Sequence, residues 1–315
     1  MAFQTLLDVA KMQYNDPVVG LIEESVQAAP EARIFPARTI PGLTYKTLVR
    51  TGLPTVGFTG ANEGIAATGS ITEQRTFETY ILRSAIQIDL AIENASQGLG
   101  LPDLETMESL GVVEATLRKL GGQIWYGVTN DAKGFPGIKA FTPKTGTTSV
   151  DAGGTTATTA SSVYFVKFGV QYVSLIFGNN TTLALSPFSN QQLADASGNL
   201  YAGRVANLTS WAGLQIGNKY SVGRICNLTE DSGKGLTDSL LAKAIAQFPI
   251  GFKPDAIFMS RRSRRQLQQS RSVSLFGQGQ MKPGSGLMTV APTPTEYDDI
   301  PIYATDQIAD TDAIE

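Results

Sequence analysis

Apolar residues recur at spacings of three and four through Leu104, Met107, Leu110, Val113, Leu117 and Leu120. That single stripe predicts an amphipathic helix over 102–120. Pro102 is tolerated in a first turn, Asp103 and Glu105 suit the positive end, and Arg118 and Lys119 suit the negative end. Gly121 and Gly122 are expected to stop it. At about 1.5 Å per residue the helix would run roughly 28 Å, long enough to be the spine of a domain. Upstream the period changes. Tyr80, Leu82, Ile86, Ile88 and Leu90 share one parity, which is the period of a strand, and Tyr45 to Thr51 alternates in the same way. Between these runs, Gly52 to Ser70 holds five glycines and one proline. The segment 43–90 is therefore expected to be a long two-stranded excursion. Ordering each residue costs about 1–2 kcal/mol of backbone entropy, so such a projection needs a partner to receive it.

The flanking regions carry weaker patterns. Leu6 to Met12 suggests a short amphipathic helix, after which Pro17, Pro30, Pro36 and Pro41 favour an extended path, so residues 1–40 are expected to form an arm. Ile124 to Gly127 suggests a strand, and Phe135 to Ile138 a turn. Residues 142–162 are rich in Thr, Ser and Gly and form a candidate domain boundary. The run 163–177 and the stretch Gly213 to Leu228 are β-branched, aromatic and strand-like, with turns of an exposed hairpin at Leu193 to Arg204. Leu236 to Gln247 and Arg261 to Gln269 read as helices, Ala256 to Met259 and Ile300 to Ala304 as strands, and Gly277 to Gly286 as a loop. The class is α+β: two domains, one assembled from both halves of the chain and one inserted, with two appendages.

Composition narrows the chemistry. Among 315 residues there is no histidine and one cysteine, Cys226, so neither a histidine-dependent triad nor an intramolecular disulfide can form. Cys226 lies in an apolar alternating strand and is expected to be buried and inert, in a chain suited to a reducing cytoplasm. Charged residues make up 17% of the chain, which is low for a folded protein and points to surface covered by partners. The net charge of −3 argues against tight nucleic-acid coating. No secretory signal, membrane span, nucleotide motif, cofactor site or metal site is expected, and Gly233-Lys234-Gly235 lacks the remainder of a phosphate loop. The acidic residues Glu296, Asp298, Asp299, Asp306, Asp310, Asp312 and Glu315 have no basic residue among them and read as a solvated face. Arg261, Arg262, Arg264, Arg265 and Arg271 form the sharpest basic group. Arg261, Arg264 and Arg265 are helical neighbours, better suited to pairing with carboxylates of another subunit than to phosphate.

The order of these elements resembles the major capsid proteins of tailed bacteriophages, the Hong Kong 97 fold family. The resemblance rests on Thr5 to Lys11, on Arg50-Thr51-Gly52-Leu53-Pro54 with Asn62 to Ile65, and on Leu101 to Leu120 followed by Trp125-Tyr126-Gly127 and Phe135 to Ile138. Ser162 to Gly169, Arg224 to Asn227, Pro254 to Ser260, and Ile300 to Tyr303 with Asp306 extend it along nearly the whole chain. It implies an N-terminal arm (1–40), an extended loop with peripheral-domain strands (41–90), a spine helix and peripheral domain (91–150), an axial domain (151–275) and a return to the peripheral domain (276–315). It also implies a non-enzymatic subunit of the virion capsid, made in the host cytoplasm and assembling as hexamers and pentamers into an icosahedral shell around double-stranded DNA. Partners would be a separate scaffolding protein, a portal and a decoration protein, with non-specific proximity to DNA and no membrane. The separate scaffold is expected because the front of the chain looks too short for a fused one. Lys46 sits at the loop's base and no lysine at its tip, so no covalent isopeptide cross-link is expected. Intersubunit contacts are expected from Arg50, Glu63, Glu73 and Arg75, and from Arg261, Arg264 and Arg265. An encapsulin-like compartment or a tail-tube protein would be the alternatives.

Overall fold

The protein is described by a computed structural model over residues 27–96, 104–195, 197–277 and 291–315. The expected helix at Leu6 to Met12, the arm before residue 27 and most of the 277–286 loop lie outside the described residues. Pro30 opens a single helical turn, α1 (Glu31–Ile34), followed by β1 (Ala37–Thr39), β2 (Thr44–Gly52), β3 (Ile71–Glu78) and β4 (Tyr80–Asp89). Then come α2 (Leu90–Ser96), the spine α3 (Leu104–Tyr126), α4 (Ile138–Phe141), β5 (Ser149–Asp151), β6 (Ser161–Val166), β7 (Val173–Phe177), β8 (Ser189–Ala194), β9 (Leu200–Ile216) and β10 (Val222–Leu228). The chain finishes with α5 (Asp238–Ile245), β11 (Ala256–Met259), α6 (Arg261–Gly277), β12 (Glu296–Tyr297) and β13 (Ile300–Ala304).

These strands make two mixed sheets and a separate hairpin. One sheet runs β1-β7-β9-β4, with β8 added to the near half of β9; the other runs β12-β13-β11-β6-β10-β5. β4 keeps the predicted parity: Ile86 and Ile88 are buried while Arg83, Ala85 and Gln87 are exposed, and it pairs with β9 over its whole length. Residues 151–275 contribute strands to both sheets, because β7, β8 and β9 return to the side of β4. In the second sheet both faces are covered. Tyr164, Val166, Ala256 and Phe258 face the spine side, whereas Val163, Phe165, Ile257 and Met259 face a layer built by α5 and α6. A strand buried on both sides reads as a continuous apolar run, which is why β6 shows little alternation.

The spine differs from its expected length. α3 continues through Gly121 and Gly122 to Tyr126, so Ile124-Trp125-Tyr126 is helical and not a strand. Those glycines are present for space. A Cβ on Gly121 would stand 2.7 Å from Glu31 Oε1 and 3.1 Å from Gln307 Cγ. The helix stops instead at Gly127, whose φ of +56° is the left-handed conformation that ends helices cheaply in glycine. A Cβ there would sit 2.0 Å from the Gly137 backbone nitrogen, so the predicted turn at 135–138 packs directly on the helix end. Trp125, fully buried, holds the core together: its ring stacks on Tyr164 at 4.9 Å and meets Phe258 at 5.0 Å and Phe35 at 5.9 Å. Phe35 and the buried Glu31 thus belong to the body, although residues 30–40 read as part of an arm. The aromatic contacts gathered at this point outweigh the proline signal that suggested an extended path.

Candidate assembly surface

The hairpin β2–β3 leaves the body as a two-stranded ribbon in register from Thr44 opposite Glu78 to Arg50 opposite Thr72, with a bulge before Gly52 opposite Ile71. Its base is anchored. Tyr45 packs on Phe77 at 5.2 Å, the Arg38 guanidinium lies 4.6 Å over the Tyr45 ring, and Arg75 Nη1 donates to Gly217 O at 3.2 Å. Beyond that base, Leu48, Leu53, Val56, Phe58, Ile65 and Ile71 are all exposed, Phe58 and Val56 almost completely. The tip 53–70 has no ladder; it is shaped by Thr55 N donating to Thr68 Oγ1 at 2.6 Å and Gly60 N donating to Glu63 Oε2 at 3.0 Å. An isolated two-stranded ribbon is marginal in water, and this group of exposed apolar side chains on one projection makes it a candidate contact surface. Arg50 and Glu73 are exposed on this ribbon and Glu63 at its tip, whereas Arg75 is half-buried and fastens the ribbon to its own body.

The arginines of α6 have partners inside the chain. Arg261 forms a two-point contact with Asp306 (Nε to Oδ1 and Nη2 to Oδ2, both 3.0 Å), Arg264 Nε donates to Pro294 O at 2.9 Å, and Arg265 pairs with Glu230. Arg262, on the other side of the helix, donates to the carbonyls of Asp310, Thr159 and Leu228. Of the acidic C-terminal residues, Glu296, Asp298 and Asp299 are exposed as expected, whereas Asp306, Asp310 and Asp312 are partly buried and, with Glu315, paired inside the chain, not a solvated face. Asp312 accepts from Lys139 Nζ at 3.3 Å and Tyr126 OH at 3.2 Å, and Glu315 Oε2 accepts from Arg224 Nη1 at 2.8 Å. The basic partners come from distant sequence, which is why no local pattern reveals them.

Arg224 and Glu31 are buried ionisable groups that escape the sequence reading. Arg224 is 2% exposed on β10 and donates from Nε and Nη2 to Ser162 Oγ at 3.0 and 2.9 Å besides its bond to Glu315. Burial tends to raise the Glu315 carboxyl, but Arg224 and Lys139 outweigh it and hold that carboxyl below its usual range. Glu31 is fully buried; Trp125 Nε1 and Thr305 Oγ1 both donate to its Oε1 at 3.0 Å. Burial nevertheless dominates and pushes its carboxyl up. An arginine inside a run of buried strand residues, or a glutamate just before a core aromatic, is the only sequence signal, since each requires an unseen partner. Cys226 is buried, and burial pushes its thiol up, as expected of an inert structural cysteine. Among the described residues no group of His, Cys, Asp and Glu could hold a metal ion, and no helix is long and apolar enough to cross a membrane.

A projecting ribbon with apolar residues facing water, a long spine helix and two mixed sheets make a tile, with the ribbon as its most exposed feature. The family described as major capsid protein GP7 matches residues 17–314. The chain belongs to that family. It is the major capsid protein of a tailed bacteriophage, with the Hong Kong 97 fold, and it is a structural protein of the virion shell. The fold is shared with the cryo-EM structure of bacteriophage Epsilon15, at a TM-score of 0.72 and 19% identity over 99% of this chain and 97% of that one. The capsid of Myoviridae phage XM1 is more distant, with a TM-score of 0.50 and 8% identity over 70% of this chain and 98% of that one. No curated protein matches the sequence.

Proposed function

We infer that this capsid subunit assembles as hexamers and pentamers through its β2–β3 ribbon, whose exposed apolar residues are received by a neighbouring copy. The observation that carries this reading is the exposure of Leu48, Leu53, Val56, Phe58, Ile65 and Ile71 on an element whose base alone is anchored. Burying such residues gains about 25 cal/mol per Å² of apolar surface, enough for several subunits to lock once a ring has nucleated. Arg50, Glu63 and Glu73, being exposed, give the ribbon its directional charge pairs. Arg261 and Arg265 remain on an exposed surface and reach a neighbour while holding Asp306 and Glu230, whereas Arg264 and Arg75 act by fixing local geometry. The second sheet with α5 and α6 is the axial domain; the first sheet with α3 is the peripheral domain. The N-terminal arm, read from the sequence as residues 1–40, is proposed as a second source of intersubunit contact. Synthesis in the host cytoplasm, a separate scaffolding protein, a portal and a decoration protein complete the expected setting, and the inner wall meets packaged DNA without binding it tightly.

Electron microscopy of the purified protein over a concentration series tests this. Closed shells, or free rings of five and six copies, are the expected outcome. A population that stays monomeric or two-fold at all concentrations would overturn it. Deleting residues 1–12 should leave the subunit folded yet lower the yield of intact shells, and a normal yield would remove the arm from the account.

A further inference from the structure

The base of the β2–β3 ribbon borders a groove of about 430 Å³. Its floor is apolar and buried, made by Phe77 of β3, Leu214 and Ile216 of β9, and Val222 of β10. Pro136 and Phe141 form a wall, and Phe141, the last residue of α4, is 50% exposed. Arg75 and Lys219 also line the groove. Arg75 is fixed there by its bond to Gly217 O, while the one acidic lining residue, Glu78, accepts from Tyr80 OH at 3.4 Å. The result is an apolar slot with a net positive lining, within the range of about 300–1,000 Å³ in which pockets enclose a small apolar group.

The tip of the ribbon has the complementary character. Phe58 is the only aromatic residue between Gly52 and Phe77, and it is fully exposed. Glu63 is the only charged residue between Gly52 and Glu73. Its Oε2 accepts from Gly60 N at 3.0 Å, which holds the carboxylate at the turn that follows Phe58.

We propose that Phe58 of one subunit seats in this groove of a second copy, against Phe141, with Glu63 facing Lys219. The inference rests on the reading that a neighbouring copy receives the ribbon, and it names the receiving site. A subunit cannot fill its own groove: Tyr45 to Gly52 is a paired ladder about 24 Å long at about 3.4 Å per residue, and it carries the tip away from Phe77 at the base. An aromatic side chain buries about 150–250 Å², so one such plug per subunit is a substantial contact. Plug and socket lie on different surfaces of the same chain, so the contact is heterologous and closes into a ring when the rotation between copies permits. The length of the ribbon then sets the spacing from one socket to the next.

The test is photo-crosslinking with p-benzoylphenylalanine in place of Phe58, in full-length chain co-assembled with an excess of parent chain so that shells form. The expected adducts join two chains and map by mass spectrometry to 136–141 and 214–222. Two-chain adducts to other segments would overturn the socket and leave the assembly reading standing, whereas adducts confined to one chain, or none, would overturn both. A second measurement reverses charges at two exposed positions, which leaves the fold of the subunit intact. Lys219→Glu should lower the yield of shells by about fivefold or more, and adding Glu63→Lys should restore it to within about twofold of the parent. An unchanged yield from Lys219→Glu, or a double variant no better than it, would overturn the pairing.

Discussion

The end of the spine helix and the β2–β3 ribbon are both rich in apolar side chains, and they treat them in opposite ways. At the spine end every such group has an internal partner: Trp125 is enclosed by Phe35, Tyr164 and Phe258, and even its indole N–H is bonded, to Glu31. On the ribbon Leu53, Val56 and Phe58 face water. On the assembly reading proposed above, the difference would separate what folds the subunit from what joins subunits. Substitutions in the first region should be felt by a lone chain, and substitutions in the second only by an assembly.

The largest effect on subunit stability is expected for Trp125→Ala, which removes the ring that α1, α3, β6 and β11 share. Its cost should be about 3–5 kcal/mol, read as a drop in the denaturant midpoint of dissociated subunits. A loss under about 1 kcal/mol would show that the core is not organised on this residue. Next comes Arg224→Met, which removes the guanidinium from Ser162 and leaves Glu315 only the longer contact to Lys139; about 3 kcal/mol is expected by the same measurement, with most of the loss recovered if Glu315 is also made Gln.

Smaller, and opposite in sign, are the pH responses of the two carboxyls. Glu31 has a raised folded value, so its contribution is fully present below the unfolded value and is lost as pH rises through the folded one. Glu315 has a lowered folded value, so its contribution is present above the unfolded value and disappears as pH falls through the folded one. Glu31→Gln should therefore gain on the parent chain as pH rises from about 4 to about 8, while Glu315→Gln should lose on it over the same range. Midpoints that move in parallel would contradict the assignment. The smallest stability effect belongs to the ribbon: Phe58→Asp should change subunit stability by no more than about 0.5 kcal/mol while abolishing shells seen by microscopy.

Much of this division is legible in the sequence. The projecting ribbon is foreshadowed by the glycine content of 52–70, and the parity of β4 is intact in the structure. The spine is legible too, but it runs on to Tyr126 because Gly121 reports the nearness of Glu31 and not a helix stop. The acidic stretch at 306–315 misleads for a related reason, since Lys139, Arg224 and Arg261 reach it from far along the chain. Local composition records propensity; it does not record which distant residue will arrive to share a glycine's space or a carboxylate's charge.

The separation of folding from assembly is tested most directly by hydrogen–deuterium exchange on dissociated subunits and on intact shells. Amides of 53–70 should exchange freely in the subunit and slow by on the order of tenfold or more in the shell, while those of 120–126 stay protected in both. Equal exchange of 53–70 in the two states would contradict the account, because the ribbon would then have no neighbour to hold it.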